Sequence, residues 1–405
     1  MDQRSQDNIS EWILMRIIKP LNRTTVTIIV FSCLVSLSPF SFAVNENISL
    51  TFLDKNNSQQ FGSTVAVNKN VAVIADKRGN ISIYRFNGLH WQEESKLLIP
   101  RNNELNLQHV NINLEEDLLV VGDYSANQHS GAVYIYRYNG SHWLLEQSIY
   151  GKTAFSHFAY SVSLSENRIA VGARLETLNG AVYLYKYDNK TWKQETKMVA
   201  DKTEAATYFG HSLALHKNQL LIGAPMANRS SGKVYYYTLD NRQQQSKQWH
   251  KQQTIINTSP EILLGYNLAI DENTLAISSF PFEDKLAASG AVYVYEKKDH
   301  QWILSSTIKA NDALHHQHGL NLSLKNSRLA IASWSYFVEI GSVFIYEKLN
   351  NRWQQSQQLE PSVGMQHDGF SFSLSLDENL TVVGAPFFNN GAGTAYLYYL
   401  ENHKL

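Results

Sequence analysis

The residues of this chain that could do chemistry are scattered. His315-His316-Gln317-His318 places three imidazoles in four positions, and two or three His from one short segment can reach a common transition-metal ion. His318, however, falls on a repeat position otherwise held mainly by large apolar side chains, so it is expected to pack, and Asp312 is the nearest acid. No metal site and no cofactor are assigned. The acid pairs Glu115-Glu116, Asp271-Glu272 and Asp377-Glu378 invite a general acid/base reading. Each lies at an expected hairpin tip, where a carboxylate should stay solvated and unperturbed. The chain holds no Gly-x-Ser-x-Gly elbow, no His-Glu-x-x-His, no P-loop and no dinucleotide fingerprint. No catalytic residue is assigned.

Composition narrows the classes further. The 405 residues carry 35 Lys+Arg against 36 Asp+Glu, so there is no basic field to hold nucleic acid. Aromatic residues reach 12%, with 22 Tyr and 8 Trp, which suits a folded β protein and not a disordered one. Arg16, Lys19 and Arg23 precede an apolar run from Thr24 to Phe42 that ends in Pro39 and Ser41-Phe42-Ala43. This reads as a secretory signal peptide over 1–43, cleaved after Ala43, with 1–14 as a start-site artefact ahead of Met15. An uncleaved anchor is the alternative for the 24–42 stretch, although its serines and Pro39 argue against it. Cys33, the single cysteine, lies inside that segment, so the remaining chain would have no disulfide, thiolate or Cys-based zinc chemistry. Val30-Phe31-Ser32-Cys33 fits a lipoprotein cleavage box poorly because of the Phe before Ser. The expected location is outside the cytoplasm: periplasmic, cell-surface or secreted, with membrane attachment only through an uncleaved anchor or a lipid.

What would position any site is a sevenfold repeat. Its first phase begins near Phe61, Gln108, Phe158, Phe209, Leu264, His318 and Phe370. Fourteen residues later, without exception, stand Ala75, Gly122, Gly172, Gly223, Ser278, Ala332 and Gly384. An alternating Tyr strand follows, as in Val133-Tyr134-Ile135-Tyr136, and then Trp91, Trp143, Trp192, Trp249, Trp302 or Trp353 in six of the repeats. Asn87-Gly88, Asn139-Gly140 and Asp188-Asn189 supply the residues of tight hairpin turns between the last two strands. Each repeat is thus a four-stranded antiparallel meander. Three residues into the first strand stand Thr64, Asn111, Ser161, Ser212, Asn267, Asn321 and Ser373, all small, and alternate positions are aliphatic. Strands converging on a narrow axis would need that. The expectation is an all-β protein: one seven-bladed β-propeller over 44–405. The last repeat lacks its Trp strand, and Ile48–Lys55 should complete that blade and leave the ring without a free edge.

The phases Phe209-Gly210, Gly223-Ala224-Pro225, Gly384-Ala385-Pro386 and Gly290-Ala291-Val292-Tyr293 resemble FG-GAP repeats, the units of the integrin α-subunit propeller, in their bacterial variety. The resemblance spans the whole propeller and implies a binding scaffold. Integrin-type repeats place calcium in an Asp-x-Asp-x-Asp-Gly loop between the first two strands. Here those connections read as tight turns such as Asn68-Lys69-Asn70, without the alternating oxygen ligands calcium needs, so calcium dependence is not carried over.

The strand 2–3 and 4–1 connections share one face, and the strand 2–3 loops vary in length and carry Tyr124, Arg174, Met226, Arg229, Phe280, Phe282, Trp334, Tyr336, Phe337, Phe387 and Phe388. Variable loops on a rigid scaffold are where binding sites sit, and aromatics with Arg are common interface anchors. These eleven residues are the candidate ligand-binding set, and the expected function is an exported, non-enzymatic module that binds a protein or carbohydrate. The alternative is a periplasmic or secreted propeller hydrolase or lyase with its site at the central channel mouth, near Asp123, Arg174, Arg229 and Glu283.

Overall fold

The computed structural model describes residues 46–51, 59–100, 110–200, 207–240, 248–256, 262–280, 290–309, 317–334, 341–361 and 367–401. They form seven four-stranded antiparallel sheets, each a simple meander, arranged as a seven-bladed propeller. The second strands, such as Val71–Ala75 and Leu118–Asp123, are buried along their whole length, which is why they read as unbroken apolar runs. The outermost strands, such as Trp192–Val199, are largely exposed beyond their leading Trp. Seven apolar clusters occupy the clefts between neighbouring blades.

The small residues three positions into each first strand have a more specific reason than crowding. Every one of them donates a side-chain hydrogen bond to a main-chain carbonyl of the next blade. Thr64 reaches Val110 O at 2.6 Å and Asn111 reaches Tyr160 O at 2.5 Å. Ser161 reaches Gly210 O at 2.8 Å and Ser212 reaches Gly265 O at 2.7 Å. Asn267 bonds Leu320 O, Asn321 reaches Phe372 O at 2.6 Å, and Ser373 returns to Gly62 O at 2.7 Å. The circuit is closed. Two residues further on, Ser163, Ser323 and Ser375 accept from the N–H of Leu215, Leu376 and Val67 in the next blade. At the end of the strand Asn68, Glu115, Ser165 and Asp377 accept from Glu116, Glu166, Lys217 and Lys69 in the same sense. Only short polar side chains can span that gap.

The Phe-Gly pair that opens the first and fourth repeats follows from the same closeness. Phe209 is buried against Tyr235, with ring centroids 5.3 Å apart. Gly210 turns with φ +86°, a left-handed conformation that costs Gly little. A Cβ on Gly172 would stand 2.1 Å from Gly210 O, and one on Gly384 would stand 2.0 Å from Gly62 O. The glycine fourteen residues on is therefore the one that admits the next blade's backbone.

The outer rim carries a second inter-blade clasp. In blades one to six the ladder between third and fourth strands slips by one residue. The bulged residue lies three after the Trp; in the first three blades it is Glu94, Glu146 or Glu195. Each of these carboxylates accepts from the next blade's indole N–H, at 3.1 Å from Trp143, 2.9 Å from Trp192 and 3.1 Å from Trp249. Each also pairs with an Arg of its own blade: Arg85, Arg137 and Arg168 respectively. Burial alone would raise the Glu94 and Glu146 carboxyls, but the Arg and Trp hydrogen bonds reverse this and hold both below the usual range.

Strand Glu46–Thr51 pairs antiparallel with Thr394–Tyr399 and supplies the fourth strand of the last blade. The expected strand was Ile48–Lys55; it begins two residues earlier, and 52–55 lie outside the described residues, as does the 1–43 segment. His318 is buried with its ring centroid 5.7 Å from that of Phe344, as its repeat position implied, while Asp312, His315 and His316 lie outside the described residues. One expectation is corrected. Asp377 and Glu115 are not solvated hairpin-tip acids: Asp377 is buried beneath the Lys69 amide, and burial raises the Glu115 carboxyl despite the Glu166 amide.

Replacing Ser212 by Ala strands the Gly265 carbonyl inside the ring and should cost about 1–3 kcal/mol. A urea titration should show a lower midpoint with an unchanged slope, and an unshifted midpoint would remove the ring bonds from the fold's stability.

Candidate functional site

The central channel is walled by all seven first strands. It encloses about 830 Å³ and extends to the strand 1–2 turns, where His216, Lys217, Asp271, Glu272, Lys325 and Asp377 border it. Most of these charges answer one another: Lys217 with Glu272, and Lys325 with Asp377 at 3.4 Å. This end is polar and internally paired.

The opposite end, where first strands begin and second strands finish, is aromatic. Tyr124 follows the strand Leu118–Asp123, Tyr160 opens the strand Phe158–Ser165, His211 precedes Ser212–His216, Tyr266 precedes Leu268–Ile270 and Phe280 follows Thr274–Ser279. Their rings touch in series: Tyr124–Tyr160 at 5.2 Å, Tyr160–His211 at 5.1 Å, His211–Tyr266 at 4.9 Å and Tyr266–Phe280 at 4.9 Å between centroids. A second group joins Trp334, Phe372 and Phe387 at 5.5–6.3 Å. Gly369, at φ +71°, leaves room for it, because a Cβ there would lie 2.6 Å from the Phe387 ring. Blades two to seven thus contribute to an aromatic crown over the axis, while blade one offers Ser63 and Lys77 at the matching positions.

Arg174 follows the strand Arg168–Ala173 and enters this crown. Its guanidinium lies 3.6 Å from the Tyr160 ring centroid and 5.4 Å from that of Tyr208, a cation–π arrangement that gains strength away from water. Arg174 Nη1 is 3.4 Å from His211 Nδ1. His157 packs on Tyr124 at 5.1 Å and on His129 at 5.6 Å. Three buried nitrogens in this one patch, His129 Nδ1, His157 Nδ1 and Arg174 Nε, have no hydrogen-bond partner. Such atoms are rare in folded proteins and concentrate where something else binds. Burial, then the Arg174 charge, pushes His157 down to about 4 and His211 down to about 3, so both imidazoles are neutral at pH 7. Burial also pushes the Tyr160 hydroxyl up to about 12.

Of the candidate set read from sequence, Tyr124, Arg174, Phe280, Trp334 and Phe387 meet in the crown. Phe280 and Trp334 are nearly buried, at 9% exposure each, so they form its floor. Phe388 is half-buried against the core of the last blade. Met226 is half-buried beside the short turn Ala227–Ser230, which carries Arg229 outward into solvent, away from any grouping with Asp123. Asp123 Oδ1 accepts from both the amide and the hydroxyl of Ser125. Phe282, Glu283, Tyr336 and Phe337 lie outside the described residues. Sequence reading missed Tyr160, His211, Tyr266 and Phe372. All four occupy one repeat position, two residues after the opening Phe or its equivalent, and that periodicity was the available signal. His157 and Tyr208 share a second position, one residue before the opening Phe158 and Phe209, whereas His129 has no aromatic counterpart at its position.

Comparison with known proteins agrees with the geometry. Residues 192–237 and 353–398 match the FG-GAP repeat, each match running from the outer Trp of one blade to the Tyr strand of the next. The chain is a seven-bladed propeller, and these two stretches within it match that repeat. No curated protein is significantly similar in sequence. Among solved structures, the computationally designed Ika8 protein aligns over 85% of this chain and 97% of its own at 14% identity, with a TM-score of 0.45, too low to support any argument.

The depressed imidazoles set an acid limit on stability. Unfolded His titrates near 6.5 while His157 and His211 stay neutral to about 4 and about 3, so between those values the unfolded chain binds more protons and stability falls with pH. The melting temperature should drop between pH 7 and 5, and more steeply in wild type than in the His157→Gln/His211→Gln variant. Parallel slopes would mean that these imidazoles are protonated in the folded protein.

Proposed function

We propose that this chain is an exported, non-enzymatic binding module that recognises a protein or carbohydrate through its loop-bearing face, with the aromatic crown as the contact surface. The observation that carries the reading is the crown itself: two groups of touching rings, one of which borders buried nitrogens without a hydrogen-bond partner. Aromatic side chains supply contact area at low entropic cost, and a propeller built of FG-GAP repeats is a rigid platform for presenting them. Export rests on the Thr24 to Phe42 segment and its basic lead-in. The hydrolase or lyase reading gains no support from a specific contact, since Asp123 is engaged by Ser125 and the His157 and His211 imidazoles sit below their working range.

Truncating Phe280 or Trp334 would mix lost binding with lost core. Tyr124 and Tyr266 are half-buried and make the cleaner test. The Tyr124→Ala/Tyr266→Ala variant should keep its fold by circular dichroism and lose the ligands that wild type retains from glycan arrays and immobilised cell-surface protein fractions. Equal retention by the folded variant would move the binding surface off the crown.

A further inference from the structure

Arg174 is the exception among the arginines of this fold. The other half-buried or buried arginines among the described residues, Arg85, Arg137, Arg168 and Arg328, each hold a carboxylate, namely Glu94, Glu146, Glu195 and Glu347. Among the described residues the crown arginine holds none. Its flat face is fixed on Tyr160, one edge touches a neutral imidazole, and Nε is buried without a partner. Aromatic stacking thus orients a guanidinium in place of an ion pair, at the cost of leaving its charge uncompensated. A planar fork held this way matches a carboxylate, which it can bind with two parallel hydrogen bonds.

We propose that the crown binds an acidic saccharide, with the carboxylate of a uronate residue seated on Arg174. The proposal rests on the crown being the binding surface and names its ligand class. Two further features select a sugar acid over an acidic peptide. His129 Nδ1 and His157 Nδ1 are buried nitrogens without a hydrogen-bond partner in the patch that Arg174 enters, the complement of hydroxyl groups flanking a carboxylate, and the tyrosine rings offer faces on which a pyranose can lie. An extended peptide, in contrast, binds best along an unpaired strand edge, and the first strands here spend their axial polar groups on the next blade. His157 and His211 remain neutral, so Arg174, the cation held against the crown's rings, should govern selection by charge, with Lys77 of blade one the other cation at a matching position.

Calorimetry with the full chain tests this, using short oligomers of galacturonate, glucuronate and mannuronate, their methyl esters, and a peptide with a free C-terminal carboxylate. At least one oligouronate should bind wild type about tenfold or more tighter than its ester, the scale of one charge-assisted pair. Arg174→Gln should erase the preference for acid over ester, and Arg174→Lys should restore part of it. Equal binding of acid and ester, or an Arg174→Gln variant that keeps the preference, would overturn the carboxylate anchor. If that binding still vanished in Tyr124→Ala/Tyr266→Ala, the crown would stand as the contact surface. Arg174-dependent binding of the peptide without any uronate would replace the saccharide with a protein ligand. Absence of binding by every probe at millimolar concentration would reject the proposal.

Discussion

Seven side chains, one per blade, hand a hydrogen bond each to the neighbouring blade's main chain, and the rest of the architecture depends on that circuit. Each is a modest contribution, about 0.5–1.5 kcal/mol net. Their effect is geometric: they bring first strands so close that the facing position holds only glycine, alanine or serine, that the residue after the opening one turns left-handed in the six blades where it is described, and that the axis narrows to a channel. Acceptor side chains further along some of the strands, three in one tier and four in the next, add bonds that run the other way, from the next blade's N–H. A propeller held only by apolar packing could slip one blade against another. This one is registered from within.

The periphery uses a different device, distributed unevenly. The strand bulge recurs in six blades, but only the first three place a carboxylate on it, with the Arg partner and the neighbour's indole in reach. The corresponding residues in the next three are Gln252, Ser305 and Ser356, which cannot complete the same charged clasp. Blades one to four are therefore joined at the rim by charged clasps, whereas the other junctions use different rim contacts, such as the paired bonds of Gln253 with Trp302, the Lys348–Glu296 ion pair and the Trp91–Tyr399 bond. Arg174, His129, His157 and His211 all sit on blades two to four, the sector that carries the charged clasps.

How much of this could be read from sequence depended on phase. The fourteen-residue interval, the alternating Tyr strands and the Trp after each hairpin recur seven or nearly seven times, because every blade faces the same neighbours; repetition made the fold legible down to the strand that completes the last blade. The crown was half legible. Tyr124, Arg174, Phe280 and Trp334 stood out as large residues just after the second strand, whereas Tyr160, His211, Tyr266 and Phe372 hid inside the repeat at a position that looked like scaffold. Asp377 and Glu115 were misjudged for a related reason: a turn that is a tip in one blade is a contact in the ring. The unfilled nitrogens of His129 and Arg174 had no signature at all, since a missing partner is a property of three dimensions.

The strand Glu46–Thr51 and its partner Thr394–Tyr399 are separated by nearly the whole described chain, yet they lie side by side in one sheet. Chain synthesis and any vectorial passage deliver the first long before the second. The last blade is thus a clock: six blades can assemble as their residues arrive, but the hub circuit from Ser373 back to Gly62 stays open until the end. High sequence separation of this kind slows folding, and it makes the completed ring a late, all-or-none event. The closed channel and the full crown come into existence together, at that closure and not before.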